Sequence, residues 1–269
     1  MRISRTEQAL NYLFLTIATA FVLVPVGWFV LTALSPNRAG IIGGIRMANF
    51  TQAWERADFS HTLLASTVIT VSAVLLQGTF AIFSGYAFGV LGVVGQRVIF
   101  PVVLLGLMVS LEGIVVPLYY QLRSAGLTNS WLGMILIHAG TSVPFGAFWM
   151  RAVFRGTSSA ILDAAHVDGA GSWRTLWRVL VPIAKSGILT LCLLNFMWTW
   201  NDYFLSLIFL ASPQRITATV ALGNFQGVYS TDVNLLAAAS LVVSAPVLVL
   251  YLFFQRHFIE GVVSGALKD

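Results

Sequence analysis

Charge is scarce in this sequence. Lys, Arg, Asp and Glu make up 9% of the 269 residues, against about 25% in soluble domains. Hydrophobic residues make up 58%, and the mean hydropathy is +0.85. A chain so apolar cannot hide its surface from water by folding alone, which excludes an ordinary soluble domain and points to a bilayer. Cysteine is nearly absent. Cys192 stands alone, which excludes a disulfide within the chain and any Cys-based metal site. His61, His138, His166 and His257 show no metal-ligand spacing, so no metal site is predicted, and His138 reads as a packed helix residue. No Gly-x-x-x-x-Gly-Lys-Ser/Thr loop is present to hold ATP phosphates, and no Gly-x-Ser-x-Gly elbow or Ser/His/Asp order appears. No catalytic residue and no cofactor bound by this chain is therefore predicted. No basic patch interleaved with stacking aromatics appears either, so the net charge of +5 needs no nucleic-acid partner.

What is abundant is long apolar runs. Six are long enough to span: Leu10–Leu34, Leu63–Val90, Val98–Leu122, Trp131–Val153, Gly187–Leu210 and Leu235–Phe254. Each approaches or exceeds the roughly 20 residues a membrane helix needs. The prediction is an all-α polytopic membrane protein with six transmembrane helices in a single domain, 1–269. Arg2 and Arg5 precede a first run longer than a signal-peptide core and without a small-residue cleavage site, so that span is expected to be retained.

Orientation follows from Lys and Arg. With the N-terminus inside, one side carries ten: Arg2, Arg5, Arg97, Arg151, Arg155, Arg174, Arg178, Lys185, Arg256 and Lys268. The other carries five: Arg38, Arg46, Arg56, Arg123 and Arg215. Both ends and the 155–186 loop are expected in the cytoplasm. The spans hold Pro25, Pro101, Pro117, Pro144 and Pro246 with many small residues, as in a tightly packed bundle or one that changes shape.

Polar groups at membrane depth are costly and so informative. Glu112 is placed mid-span. In the fifth run, Asn195, Trp198, Asn201 and Asp202 fall within about two helical turns, and Trp198, Asn201 and Asp202 share one face. An indole plate beside an amide and a carboxylate suits a sugar ring and its hydroxyls. The same residues would also serve as an interfacial anchor and as ties between helices.

The most distinctive segment is the polar loop Ile161–Pro182. Ser158 or Ser159 can cap a helix beginning near Ala160, and Asp163 lies in its first turn, where the helix dipole favours a carboxylate. Ala164 and Ala165 offer a small face. Asp168-Gly169-Ala170 breaks the helix, glycine supplying the backbone freedom. Trp173, Leu176, Trp177 and Leu180 recur at helical spacing, with Arg174 and Arg178 on another face, and Pro182 ends the element. A helix lying in the lipid headgroups would account for the Trp/Arg half but not for the Asp-Ala-Ala half.

Asp163-Ala-Ala-x-x-Asp-Gly-Ala170, followed by Trp177 and Val181-Pro182, resembles the EAA motif of permeases in ATP-binding-cassette (ABC) importers, and specifically the second, maltose-type permease subunit of the carbohydrate branch. Further matches are Ala48-Asn-Phe-Thr51, Ser84-Gly-Tyr-Ala-Phe88, Val116-Pro-Leu-Tyr119, Gly126-Leu-Thr-Asn-Ser130, Trp200-Asn-Asp-Tyr203 and the ending Gln255–Lys268. Departures are Asp163 for the usual Glu, Thr157-Ser-Ser159 at the helix start, Ala65-Ser66 for Asn-Ser, and the final Asp269.

The resemblance implies a type I ABC importer permease fold in the cytoplasmic membrane of a prokaryote. It implies a sister permease, two cytoplasmic ATPase subunits that carry ATP and Mg, and an extracytoplasmic solute-binding protein. Asp163, Ala164, Ala165, Asp168, Gly169, Ala170 and Trp177 would dock on the ATPase. Ser264, Gly265 and Ala266, in a tail too polar and Gly-rich for membrane, would reach between the ATPases. Trp198, Asn201, Asp202, Asn195 and Glu112 are the substrate-path candidates, for a disaccharide or oligosaccharide. A glycerol-phosphate or polyol importer is the alternative within the class, and a membrane-embedded transferase or a passive channel the alternatives outside it.

Overall fold

The computed structural model describes residues 5–36, 44–227 and 231–266, without the side chains of residues 5, 6, 9 and 256–266. Arg2, Arg38 and Lys268 of the charge count lie outside the described residues. Thirteen α-helices appear among the described residues: α1 Arg5–Leu34, α2 Ala48–Arg56, α3 Phe59–Tyr86, α4 Gln96–Leu105, α5 Leu111–Ser124, α6 Trp131–Arg155, α7 Ser159–Val167, α8 Ser172–Thr175, α9 Val181–Ile183, α10 Lys185–Trp200, α11 Phe204–Phe209, α12 Ala218–Ala221 and α13 Val233–Ala266. β-pairing is limited, among these residues, to one isolated bridge between Gln226 and Thr231. The chain divides into two compact units, one of 1–60 with 221–245 and one of 61–220 with 246–269.

Four helices are continuous and apolar enough to cross a membrane: Leu10–Leu34, Phe59–Leu91, Trp131–Arg155 and Val233–Gln255. Two further pairs reach that length only together, and both are sharply bent. The expected third span, Val98–Leu122, is broken: α4 continues as a 3-10 turn, Gly106–Met108, and α5 leaves at 101°. The expected fifth span, Gly187–Leu210, is interrupted as well, because α10 ends at Trp200 and α11 restarts at Phe204. Hydropathy sums composition and is blind to such bends. The bends do not fall at the in-span prolines, since Pro25, Pro144 and Pro246 all lie inside unbroken helices.

In the first unit, α1 presents its apolar surface outward: residues 10–31 are all exposed within the chain, and burial begins only at its end, with Ala33. Helix C-termini leave carbonyls without intrahelical partners. Here Asn49 donates to Ala33 O and Ser35 O, each at 2.9 Å, and Asn234 donates to Thr32 O and Ser35 O. Arg56 adds an ion pair to Asp232 and lies 5.3 Å from the Phe225 ring centre.

The second unit is organised by a seam of small residues. Ala81, Gly85 and Gly89, four residues apart, run along α3 and the wider turn Ala87–Leu91 that prolongs it. A Cβ on Gly85 would stand 2.4 Å from Met150 Cβ of α6, and one on Gly146 of α6 would stand 2.8 Å from Ala81 Cβ. Small side chains are what allow membrane helices so close an approach. One buried cluster around Met150, Phe154, Leu176 and Leu180 continues this seam. A second gathers Ile69, Met134, Ile137, Leu205 and Phe209.

Candidate functional site

The polar loop folds into a small seated element. Ser158 is the residue before α7, and α7 runs from Ser159 to Val167. It stops in a Schellman arrangement. Gly169 takes φ +74°, its N–H donates to His166 O at 3.0 Å, and the N–H of Ala170 donates to Ala165 O at 2.9 Å. Asp163, Ala164, Val167, Asp168 and Gly169 are exposed, whereas Ala165 is buried. The two alanines therefore do not share one outward face: Ala165 anchors the helix and Ala164 faces out. Ala170 is half-buried.

The second half of the loop is held by apolar contacts. Leu176 and Leu180 are fully buried in the cluster with Met150 and Phe154. Trp173 and Trp177 stay exposed and flank Phe83 of α3, with ring centres 6.1 and 6.3 Å away. Tyr86 Oη donates to Ser172 O at 2.9 Å. Pro182 does not end the helical path, since α9 runs through it and the 77° bend comes at Ala184. The loop is thus bolted to α3 and α6 while α7 displays its outer side.

The break after α10 builds a second feature. Asp202 follows the last residues of α10 and caps α11: Leu205 N, Ser206 N and Ser206 Oγ donate to its carboxylate at 3.0–3.2 Å. Beside it lies a cavity of about 640 Å³, lined by Gln77, His138, Asn195, Trp198 and Asp202 and walled by apolar residues such as Phe145. That volume falls in the roughly 300–1,000 Å³ range of small-molecule sites. Trp198 is half exposed, and its indole meets Phe145 edge-on, with ring centres 5.0 Å apart.

Three of the five substrate-path candidates, Asn195, Trp198 and Asp202, come together there. Two do not. Asn201 is exposed and donates back to Met197 O of its own helix. Glu112 is not mid-span: it sits in the first turn of α5, just past the break, exposed and accepting from Ser110 Oγ. A carboxylate in a first turn suits the helix dipole. The bend explains the misplacement of Glu112, whereas Asn201 still continues α10, its backbone N–H donating to Met197 O, and its side chain turns back on its own helix.

Sequence reasoning missed two residues. Gln77 of α3 donates to His138 O at 2.9 Å, and His138 Nε2 lies 3.8 Å from Asp202 Oδ2. Gln77 is a polar group inside an apolar run, the same signal that marked Asn195, and could have been found by it. His138 needed the tertiary structure, which sets it opposite Asp202.

At the C-terminus, Ser264, Gly265 and Ala266 continue α13 as helix rather than forming a separate tail. The last residues, including Asp269, lie outside the described residues.

Residues 77–263 match the family described as binding-protein-dependent transport system inner membrane component. The chain belongs to this family. It is 30% identical over 260 residues to the trehalose transport system permease protein of Mycobacterium tuberculosis, an alignment covering 94% of this chain and 95% of that protein. It is 28% identical to the diacetylchitobiose uptake system permease protein of Streptomyces coelicolor, covering 98% and 90%. It is 30% identical to the melibiose/raffinose/stachyose import permease protein of Bacillus subtilis, covering 83% and 82%. Its fold matches a chain of a bacterial ABC transporter involved in import of the acidic polysaccharide alginate, with a TM-score of 0.82, 21% identity, and 96% and 99% of the two chains covered. The chain is thus a membrane-embedded ABC importer permease. Membership implies in general a sister permease, an ATPase and a solute-binding protein.

Proposed function

We propose that this permease forms half of the translocation pathway for a disaccharide or oligosaccharide, delivered by an extracytoplasmic solute-binding protein and moved by alternating access. The names of the relatives, for trehalose, diacetylchitobiose and melibiose/raffinose/stachyose, support the saccharide class. The phosphate alternative finds no support in the cavity, where no Lys or Arg is among the lining residues. The permease has N- and C-termini in the cytoplasm, as the ten-to-five distribution of Lys and Arg favours.

The observation that carries the coupling role is α7, a short capped helix whose base is buried through Ala165 and whose outer side presents Asp163, Ala164 and Asp168. It docks on a cytoplasmic ATPase, and closure of the ATPase pair moves it. Leu176 and Leu180 seat the neighbouring segment against α3 and α6, so the movement passes to the spans rather than being lost in a soft loop. ATP and Mg sit on the ATPases. Coupling requires contacts that differ between the two states, since equal contacts shift nothing. The end of α13, Ser264–Ala266, completes the contact with the ATPases.

Ala164→Arg tests this reading. Arginine on the exposed face leaves membrane insertion intact and either prevents ATPase assembly or uncouples hydrolysis from uptake. ATPase copurification and uptake by the complete importer are the measurements, and wild-type values for both would refute the docking role.

A further inference from the structure

Buried polar atoms are nearly always paired, and each orphan calls for an explanation. Among the described residues, four such atoms belong to three residues lining one cavity: Gln77 Oε1, His138 Nε2, Asn195 Nδ2 and Asn195 Oδ1. Their residues are 4%, 8% and 1% exposed. An atom of this kind left unpaired keeps its desolvation cost uncompensated. Within one cavity the set supplies acceptors, a donor amide, and an imidazole nitrogen that does either. That is the complement a cluster of hydroxyls requires.

Two of the lining side chains, Gln77 and Asp202, are held in place by hydrogen bonds of their own. Gln77 spends its amide N–H on His138 O, which leaves its Oε1 available. Asp202 is fixed by three donors from α11, and it stands 3.8 Å from His138 Nε2. Trp198 and Phe145 supply an aromatic wall on the same cavity. Asp202 is the single charged residue among those lining it.

We propose that this subunit carries its own solute-binding site, in which Gln77, His138 and Asn195 bind hydroxyls of an uncharged saccharide, Trp198 covers a ring face, and Asp202 places a negative charge beside them. This deepens the importer reading and rests on it. The site selects against anionic saccharides, because a carboxylate entering it would face Asp202 with no Lys or Arg on the walls to offset the repulsion. Two neutral amides and an imidazole suit hydroxyls of either polarity, which an all-donor site would not.

The complete importer, in lipid nanodiscs without its solute-binding protein, is titrated with radiolabelled trehalose and raffinose, and with an oligogalacturonate as the acidic probe. Uptake of the same probes is measured in cells expressing the intact system. Wild type is expected to bind a neutral probe saturably and the acidic probe at least tenfold more weakly. Asn195→Ala and His138→Ala each weaken binding about tenfold or more, which corresponds to about 1.4 kcal/mol. His138→Gln, which returns a polar group near Nε2, recovers at least part of that loss. Size-exclusion profiles of the variants confirm assembly. Uptake of a neutral probe with undiminished binding in both alanine variants overturns the site but leaves the importer reading standing. Equal loss in His138→Ala and His138→Gln reduces His138 to a packing role. Preference for the acidic probe overturns the selectivity. If the intact system takes up no saccharide at all, the substrate class itself has failed.

Discussion

Gly169 provides a test in which conformation and size predict opposite orders. The residue ends α7 at φ +74°, and a Cβ built on it meets nothing within 4 Å. Space is therefore not the constraint; backbone chirality is. Alanine in the left-handed region costs roughly 1–2 kcal/mol. Asparagine adopts that region more readily than other side chains, so it costs less despite being larger. Proline fixes φ near −65° and removes the N–H that donates to His166 O, for a total of about 3 kcal/mol or more. The expected order of damage is Asn, then Ala, then Pro. Hydrogen exchange of the amides of residues 163–170 in the detergent-purified permease reads it directly. A loss of 1–2 kcal/mol raises the open population roughly fivefold to thirtyfold, so Ala should exchange within that range faster and Asn by less. If Asn exchanges faster than Ala, or Pro leaves protection unchanged, the capping argument is wrong. If instead only coupling in the complete importer falls, and falls with side-chain size, glycine is kept there for docking clearance.

Gly85→Ala should lower the thermal midpoint of the purified permease, because the new Cβ would lie 2.4 Å from Met150 Cβ and 2.8 Å from Met150 C; overpacking of this kind costs about 1–3 kcal/mol. Gly27→Ala, which lies inside α1 and meets nothing within 4 Å, should not lower the midpoint, and equal behaviour of the two would remove the seam argument. In a Cys192→Ser background, Glu55→Cys should react with an impermeant thiol reagent on intact cells and Arg174→Cys should not; the reverse pattern inverts the orientation. Truncation after Ile259 should preserve insertion but reduce ATP-driven uptake, and unchanged uptake would make the end of α13 dispensable.

The sequence by itself determined the membrane class, because with 9% charged residues the apolar surface has nowhere else to go. It also marked the polar loop Ile161–Pro182 and its glycine stop. A Schellman cap is local chemistry, set within a few residues of chain, so Gly169 could be read without knowing what packs beside it. Only the tertiary structure decided the breaks at Val109–Ser110, Ala184 and Asn201–Tyr203, because a span's composition is the same straight or bent. Those breaks moved Glu112 out to a helix start. They also left Asp202 free to cap α11 and face His138, a residue 64 positions earlier in the chain. The cavity is made by long-range packing of α3, α6 and α10, and no pattern confined to one helix encodes the distances between them. The sequence could list polar groups stranded at membrane depth, and the fold determined which of them meet.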